Sequence, residues 1–177
     1  MNEVNEALWN RCVAFHGHSC PGLAIGFRAA TEALAYLGVD GPAADEELVC
    51  VTENDACGVD AVQVITGCTM GKGNLLYRGT GKMAFSFYCR KSGASVRLCL
   101  KPLPDMEREE RRRFILEAPL EQVFSVGAPR FPVPEKARRF ASVPCAVCGE
   151  LTAEHMVRLV DGKPHCPDCF APYDRGW

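Results

Sequence analysis

The sequence predicts an α+β fold, in which helices pack on a mainly antiparallel sheet, followed by a small treble-clef or zinc-ribbon domain. Stretches with helical and with strand-like apolar periodicity follow one another without the regular alternation of a parallel α/β sheet. The chain also closes with two tightly spaced pairs of cysteines. We predict a core domain over residues 1–126, a proline-rich connector over 127–144 and a four-cysteine zinc finger over 145–177.

Three helices and one strand are predicted in the N-terminal part of the chain. Apolar residues of Glu3–Phe15 recur at helical spacing. A second helix runs from Pro21, which suits a first helical turn, to the stop signal Gly38. A short β-branched strand is predicted over Glu47–Glu53, and a third helix from Cys57 to about Gly67.

A hairpin and a charged helix are predicted next. The alternating runs Lys82–Cys89 and Ala94–Leu100 enclose the turn residues Lys91-Ser92-Gly93, which indicates a β-hairpin. A charged helix is predicted from Pro104, with acidic residues early and basic residues later, as the helix dipole favours. Four prolines between Gly127 and Pro144 interrupt any regular element and predict a semi-rigid connector.

Composition and charge exclude several classes of protein. Hydrophobic residues make up 47% and charged residues 24% of the chain, which is typical of a globular protein. The formal net charge of −2 provides no global attraction to nucleic acid or to acidic membranes. No apolar run approaches the ~18 residues that span a bilayer. The polar N-terminus lacks signal-peptide features, so we predict a cytoplasmic protein whose 11 cysteines serve as metal ligands, thiols or packing residues rather than disulfides.

The two C-terminal Cys-x2-Cys pairs form the strongest motif in the chain. They are separated by 17 residues, and four thiolates from two such knuckles close a tetrahedral shell around Zn²⁺. Because no ligand position stays open, we predict a structural zinc, with His155 and His165 outside the shell. Basic residues of the finger are balanced by acidic ones, so no nucleic-acid contact is predicted. The four predicted ligands are Cys145, Cys148, Cys166 and Cys169.

A second cluster of metal-ligand residue types lies near the N-terminus. In an extended segment, His16, His18 and Cys20 would point to one side. Cys20 and Cys57 both stand at predicted helix starts, where free N–H groups stabilise a thiolate. These residues predict either a soft metal site or a reactive thiol centre. We take Cys20, Cys57 and His18 as candidate catalytic residues. The same three, together with His16, are the candidate ligands of a second transition metal, for which we expect zinc.

Further polar residues are candidates for lining a pocket beside these cysteines. Asp60 and Gln63 lie three residues apart on the third helix and face one side. A solvated helix face explains them equally well. The glycine-rich loop 67–74 lacks the spacing of a nucleoside-triphosphate-binding loop, although its backbone N–H groups and Lys72 could bind an anion. Cys68 and Thr69 of this loop complete the predicted lining.

Several sequence blocks together carry a resemblance to a known family. They are Phe15-His16-Gly17-His18-Ser19-Cys20-Pro21-Gly22, Cys57-Gly58-Val59-Asp60-Ala61-Val62-Gln63, Thr66-Gly67-Cys68-Thr69-Met70-Gly71-Lys72-Gly73-Asn74-Leu75 and Gly81-Lys82-Met83-Ala84-Phe85. With these blocks the sequence resembles the FmdE family, named after the E-subunit of formylmethanofuran dehydrogenase. The similarity covers about residues 10–100, the blocks occur in the family's order, and a C-terminal finger is known in some members.

The resemblance implies a homodimer and a His/Cys core site that acts on or senses a small one-carbon-type ligand. The family takes its name from a methanogen complex that reduces CO2 with a molybdenum or tungsten pterin. This chain has no recognisable pterin site and lacks the four-cysteine pattern of ferredoxin clusters, so that chemistry does not transfer to it alone. Two alternatives stay open: a non-catalytic accessory or metal-handling component of a larger molybdenum or tungsten oxidoreductase, and a regulatory protein whose finger contacts protein or nucleic acid.

Overall fold

The computed structural model divides the chain into two compact units, Met1–Ala137 and Arg138–Trp177. It describes residues 3–173 and 175. In the first unit, helices cover one face of a five-stranded sheet, so the predicted α+β class with a mainly antiparallel sheet is confirmed. No helix among the described residues is long and apolar enough to cross a membrane. The boundaries predicted at residues 126 and 144 stay a prediction.

The helices of the first unit begin and end close to the predicted residues. Gly38 and Gly67 follow α2 and α3 with φ angles of 63° and 69°, a left-handed conformation that glycine adopts without strain. The charged helix begins at Arg108 rather than at Pro104, after Glu107 in extended conformation. The five helices are α1 (Glu3–His16), α2 (Pro21–Leu37), α3 (Gly58–Thr66), α4 (Arg108–Glu117) and α5 (Leu120–Val123).

The sheet has the strand order β2-β1-β3-β4-β5. The predicted hairpin is formed by β3 and β4, and β1 and β2 run parallel because α3 connects them as a crossover helix. Strands β2 and β5 were not predicted, since three or four residues are too few to show a period. The strands are β1 (Leu48–Thr52), β2 (Leu75–Tyr77), β3 (Ala84–Cys89), β4 (Ser95–Leu100) and β5 (Phe124–Gly127).

Both faces of the sheet are covered, so every residue of β1 is buried. The helices pack on the face that carries Leu48 and Cys50. On the opposite face, Tyr88 Oη donates a hydrogen bond to the Phe131 carbonyl at 3.0 Å, and Arg90 Nη2 donates to the Pro134 carbonyl at 2.7 Å. Residues 131–134, which lie in the predicted connector, therefore pack on the first unit.

The second unit is built from two short hairpins. The first pairs β6 (Ser142–Pro144) with β7 (Leu151–Ala153), and the second pairs β8 (Arg158–Val160) with β9 (Lys163–His165). The second hairpin turns at Asp161 and Gly162, both with positive φ, a dipeptide typical of tight hairpin turns.

Helices α2 and α3 approach each other so closely that only glycine fits at the contact. A Cβ atom on Gly26 would lie 1.8 Å from the carbonyl oxygen of Gly58. A Cβ atom on Gly58 would lie 3.0 Å from both the Gly22 carbonyl oxygen and the Gly26 nitrogen. Because Gly58 is the first residue of α3, this contact fixes the start of α3 against the first turns of α2.

We predict that Gly26→Ala lowers the free energy of unfolding by about 3 kcal/mol or more, because the added methyl group must push backbone apart. Urea denaturation followed by circular dichroism measures the change. Gly71→Ala is the matched control, since a Cβ there meets nothing within 4 Å, and it should change stability by less than about 0.5 kcal/mol. Equal stability of the two variants would contradict the packing described here.

Candidate metal centre

Three side chains with metal-binding atoms converge where α1, α2 and α3 meet. The ligand atoms of His16, Cys20 and Cys57 all lie within 4.8 Å of one another. Cys20 Sγ is 3.9 Å from His16 Nε2. Around one zinc ion, ligand atoms at the usual bond lengths of 2.0–2.3 Å lie roughly 3.5–3.8 Å apart. One imidazole and two thiols therefore fit a shared ion after shifts of about 1 Å, and this donor set suits zinc or another borderline-soft transition metal.

Each ligand is positioned by the end of a helix. His16 is the last residue of α1, and Gly17, with a φ of 89°, turns the chain back toward α2. Cys20 is the N-cap of α2, and its Sγ accepts a hydrogen bond from the Leu23 backbone N–H at 3.3 Å. Cys57 is the N-cap of α3 and makes no such side-chain bond.

Gly22 provides the space in which Cys57 reaches Cys20. A Cβ atom at residue 22 would lie 3.1 Å from Cys57 Cβ and 3.8 Å from Cys20 Sγ. Burial first, and then the negative charge of a Cys20 thiolate, raise the pKa of Cys57. Two thiolates held this close repel each other, and a bound cation would relieve that repulsion.

Asp60 orients the imidazole. Its Oδ2 lies 2.7 Å from His16 Nδ1, and its Oδ1 accepts a hydrogen bond from Gln63 Nε2 at 3.4 Å. A carboxylate on Nδ1 leaves Nε2 as the lone-pair nitrogen that faces Cys20, which is how metal-binding histidines are held. The predicted lining residues Asp60 and Gln63 therefore support the histidine.

His18 lies outside this cluster. It is exposed, and its ring stacks on that of His16 with centroids 4.4 Å apart. The prediction of His18 as a ligand assumes that residues 16–20 form one extended segment. In the structure, α1 continues through His16 and the chain turns at Gly17. His16 therefore faces the two cysteines, and His18 is not one of the residues whose ligand atoms converge.

A cleft of about 560 Å³ opens beside His16 and Cys57. This volume is in the range of ordinary small-molecule sites. Apart from Asp60, the other lining residues were not predicted from the sequence, because they come from three separated segments without a shared period. Met70, an apolar residue inside the glycine-rich loop, is the one sequence signal that could have indicated these lining residues. The others are Thr52, Asn54, Asp55, Ala56, Val59, Met70, Leu75 and Tyr77.

Three predicted lining residues have structural contacts away from the cleft. Cys68 is fully buried, with its Sγ 3.5 Å from the Leu48 carbonyl oxygen. Thr69 Oγ1 accepts a hydrogen bond from the Lys72 backbone N–H, and Lys72 Nζ donates to the Ala43 carbonyl at 2.9 Å. Lys72 is thus anchored to a backbone carbonyl and is not among the described residues that line the cleft.

The four C-terminal cysteines form the second cluster. Their sulfur atoms all lie within 4.8 Å of one another, and Cys148 Sγ is 3.9 Å from Cys166 Sγ. Gly149, with a φ of 77°, makes the sharp turn of the first knuckle. Backbone N–H groups of Cys148, Cys166 and Val147 lower the pKa of Cys145 to about 6, which favours the thiolate that zinc binds. His155 instead stacks on Phe140 with centroids 3.9 Å apart.

Two family profiles match the chain. Residues 15–125 match the family described as "FmdE, Molybdenum formylmethanofuran dehydrogenase operon". Residues 138–175 match the "Prokaryotic dksA/traR C4-type zinc finger". The second match agrees with the four-sulfur cluster, so the chain carries a C4 zinc site at its C-terminal end.

Known proteins that are similar to this chain include an archaeal protein and a solved bacterial structure. A protein of Archaeoglobus fulgidus, named a probable S-adenosyl-L-methionine-binding protein, is 40% identical over 91 residues, which are 50% of this chain and 25% of that protein. The chain thus aligns with about a quarter of the relative's length. The crystal structure of a tungsten formylmethanofuran dehydrogenase FmdE-like protein from Syntrophus aciditrophicus matches with a TM-score of 0.64 at 26% identity, covering 93% of this chain and 91% of the other. Since the first profile spans well over half of the sequence, the chain belongs to the FmdE family.

Proposed function

We propose that the first unit is a metal-dependent small-molecule site in which His16, Cys20 and Cys57 hold one transition-metal ion, zinc by preference. The observation that carries this proposal is the convergence of one imidazole and two thiols at the wall of a cleft. Among the described residues, no fourth His, Cys, Asp or Glu joins this group. Three protein ligands with an open fourth position are typical of catalytic zinc sites, whereas structural sites have four.

The residues around the ligands support a reaction rather than a purely structural role. A zinc ion held there would polarise a carbonyl oxygen or activate a water molecule. Asp60 orients His16 and would hold it in the tautomer that presents Nε2 to the ion. Asn54 and Thr52 are already engaged in backbone hydrogen bonds, which hold the turn before Cys57 in place. Cys57, at the cleft, is the alternative nucleophile if the reaction is covalent.

The size of the cleft limits which one-carbon ligands, expected from the family resemblance, would fill it. A space of about 560 Å³ is much larger than formate or CO2. We therefore propose that a formyl-type group is presented on a larger carrier molecule. The name of the archaeal relative supports a small-molecule ligand, because S-adenosyl-L-methionine is one.

Two other roles compete with catalysis. An accessory or metal-handling component of a larger oxidoreductase would not need an open coordination position, which is why the three-ligand arrangement favours an enzyme. A regulatory role would rest on the finger, for which no observation favours a particular partner. The homodimer, the cytoplasmic location and the involvement in one-carbon metabolism stay predictions.

We expect the purified chain to bind about two zinc equivalents, one in the finger and one in the core. In Cys20→Ser/Cys57→Ser, elemental analysis should find about one equivalent, because the finger keeps its four thiols. Cys99→Ser is the control, since this half-buried cysteine lies outside both clusters, and it should keep both equivalents. One equivalent in wild type and double variant alike would refute the core site and leave the accessory role ahead.

Asp60→Asn should weaken zinc binding at the core site by roughly 10–100-fold, because the amide holds His16 less firmly in the binding tautomer. Competition with a chromophoric chelator measures the affinity. Asp55→Asn is the matched control: it removes the same charge from the same cleft without touching His16. Equal affinities of the two variants would show that Asp60 acts only through its charge.

A further inference from the structure

We propose that the cleft beside the core site selects an organic cation, a molecule whose apolar body carries an ammonium- or sulfonium-type charge. The inference deepens the proposed function and rests on it, because it names the class of ligand that this site would accept. It is carried by the charges and the apolar surface that line the cleft.

The charged side chains that line the cleft are acidic. Asp55 and Asp60 contribute carboxylates, and no lysine or arginine is among the described residues that line it. The basic residues on the two segments that supply Met70 and Tyr77 are held elsewhere. Lys72 Nζ donates to the Ala43 carbonyl, and the Arg78 guanidinium lies 4.6 Å from the centre of the Phe131 ring. An anionic ligand would therefore meet carboxylates without a compensating cation.

A metal ion at the core site does not make the net charge around the cleft positive. Two thiolates, from Cys20 and Cys57, balance the two positive charges of a zinc ion, and a neutral His16 adds none. The carboxylates of Asp55 and Asp60 remain, and the hydrogen bond from His16 engages only one of them. Asp55 is exposed and stands directly before the turn that leads into Cys57.

Part of the lining of the cleft is apolar and exposed. Met70 is 72% exposed and Tyr77 is 56% exposed, although both are large hydrophobic residues. With Val59 and Leu75 they form a surface for an apolar body. An aromatic ring and a polarisable thioether beside carboxylates suit a weakly hydrated cation, because the ring face attracts positive charge.

Three probes of similar size separate charge from apolar contact: phenyltrimethylammonium, the neutral tert-butylbenzene and the weakly coordinating anion benzenesulfonate. Each is titrated into the zinc-loaded full chain by isothermal calorimetry. We expect the cation to bind at least about 10-fold more tightly than either other probe, which corresponds to about 1.4 kcal/mol. Asp55→Asn should weaken the affinity for the cation about 5–10-fold, because one nearby negative charge is lost. The affinity for the neutral probe should stay the same. Asp40→Asn, an exposed aspartate outside the cleft, is the charge-matched control.

Benzenesulfonate binding as tightly as the cation, or an Asp55→Asn variant that binds the cation like wild type, would overturn the inference. The metal content of the same samples keeps this outcome separate from failure of the proposed function. Two zinc equivalents without cation selectivity would reject the ligand class and leave the metal site. One equivalent, with cation binding that still depends on Asp55, would reject the core metal and support the cleft's selectivity.

Discussion

The backbone contact between α2 and α3 at Gly26 and Gly58 is the constraint on which the core site depends. Two helices that pack through larger side chains lie about 8–10 Å apart, and their N-termini would then hold Cys20 and Cys57 out of reach of each other. With glycine on both sides, the Gly58 carbonyl occupies the place of a Gly26 side chain. The ligand atoms of the two N-cap cysteines thereby come within 4.8 Å. The core site is thus a consequence of helix packing.

The same arrangement concentrates positive potential where negative ligands are needed. The dipoles of α2 and α3 place positive potential at the helix starts, where Cys20 and Cys57 stand. At the start of α2, the Leu23 backbone N–H donates a hydrogen bond to Cys20 Sγ. His16 arrives from α1, so a shared ion would join three helices. The C-terminal cluster solves a different problem: its unit is too small for a hydrophobic core, and four thiolates around zinc supply the stability that burial cannot.

Much of the fold could be predicted because the signals are local. Gly38 and Gly67 end helices through their own backbone freedom, and Asp161-Gly162 turns a hairpin for the same reason. The two Cys-x2-Cys knuckles imply their cluster, since each pair brings its own two ligands together. By contrast, β2 and β5 are strands because they pair with the edges of β1 and β4. A segment of three or four residues carries no sequence pattern that indicates such pairing.

The core site could be predicted in composition but not in detail. Cys20 and Cys57 stood out because both begin helices, yet their meeting depends on the contact between α2 and α3. Whether His16 or His18 faces the cysteines depends on whether α1 includes residue 16. Helix ends predicted from sequence are uncertain by one or two residues, and one residue more in the helix turns a side chain to another side. The cleft joins a turn, a loop and a strand end, and no sequence period links segments of that kind. The positions of Asp55 and Tyr77 in the cleft therefore became visible only in the structure.

We propose that one metal ion is held jointly by the ends of three helices. Anomalous diffraction at the zinc absorption edge, on crystals of the full chain grown with zinc, tests it most directly. A shared ion predicts two peaks for each chain. One lies among the four finger sulfurs, and the other lies about 2.0–2.3 Å from His16 Nε2, Cys20 Sγ and Cys57 Sγ. A single peak in the finger, with the two core cysteines present as thiols, would contradict it.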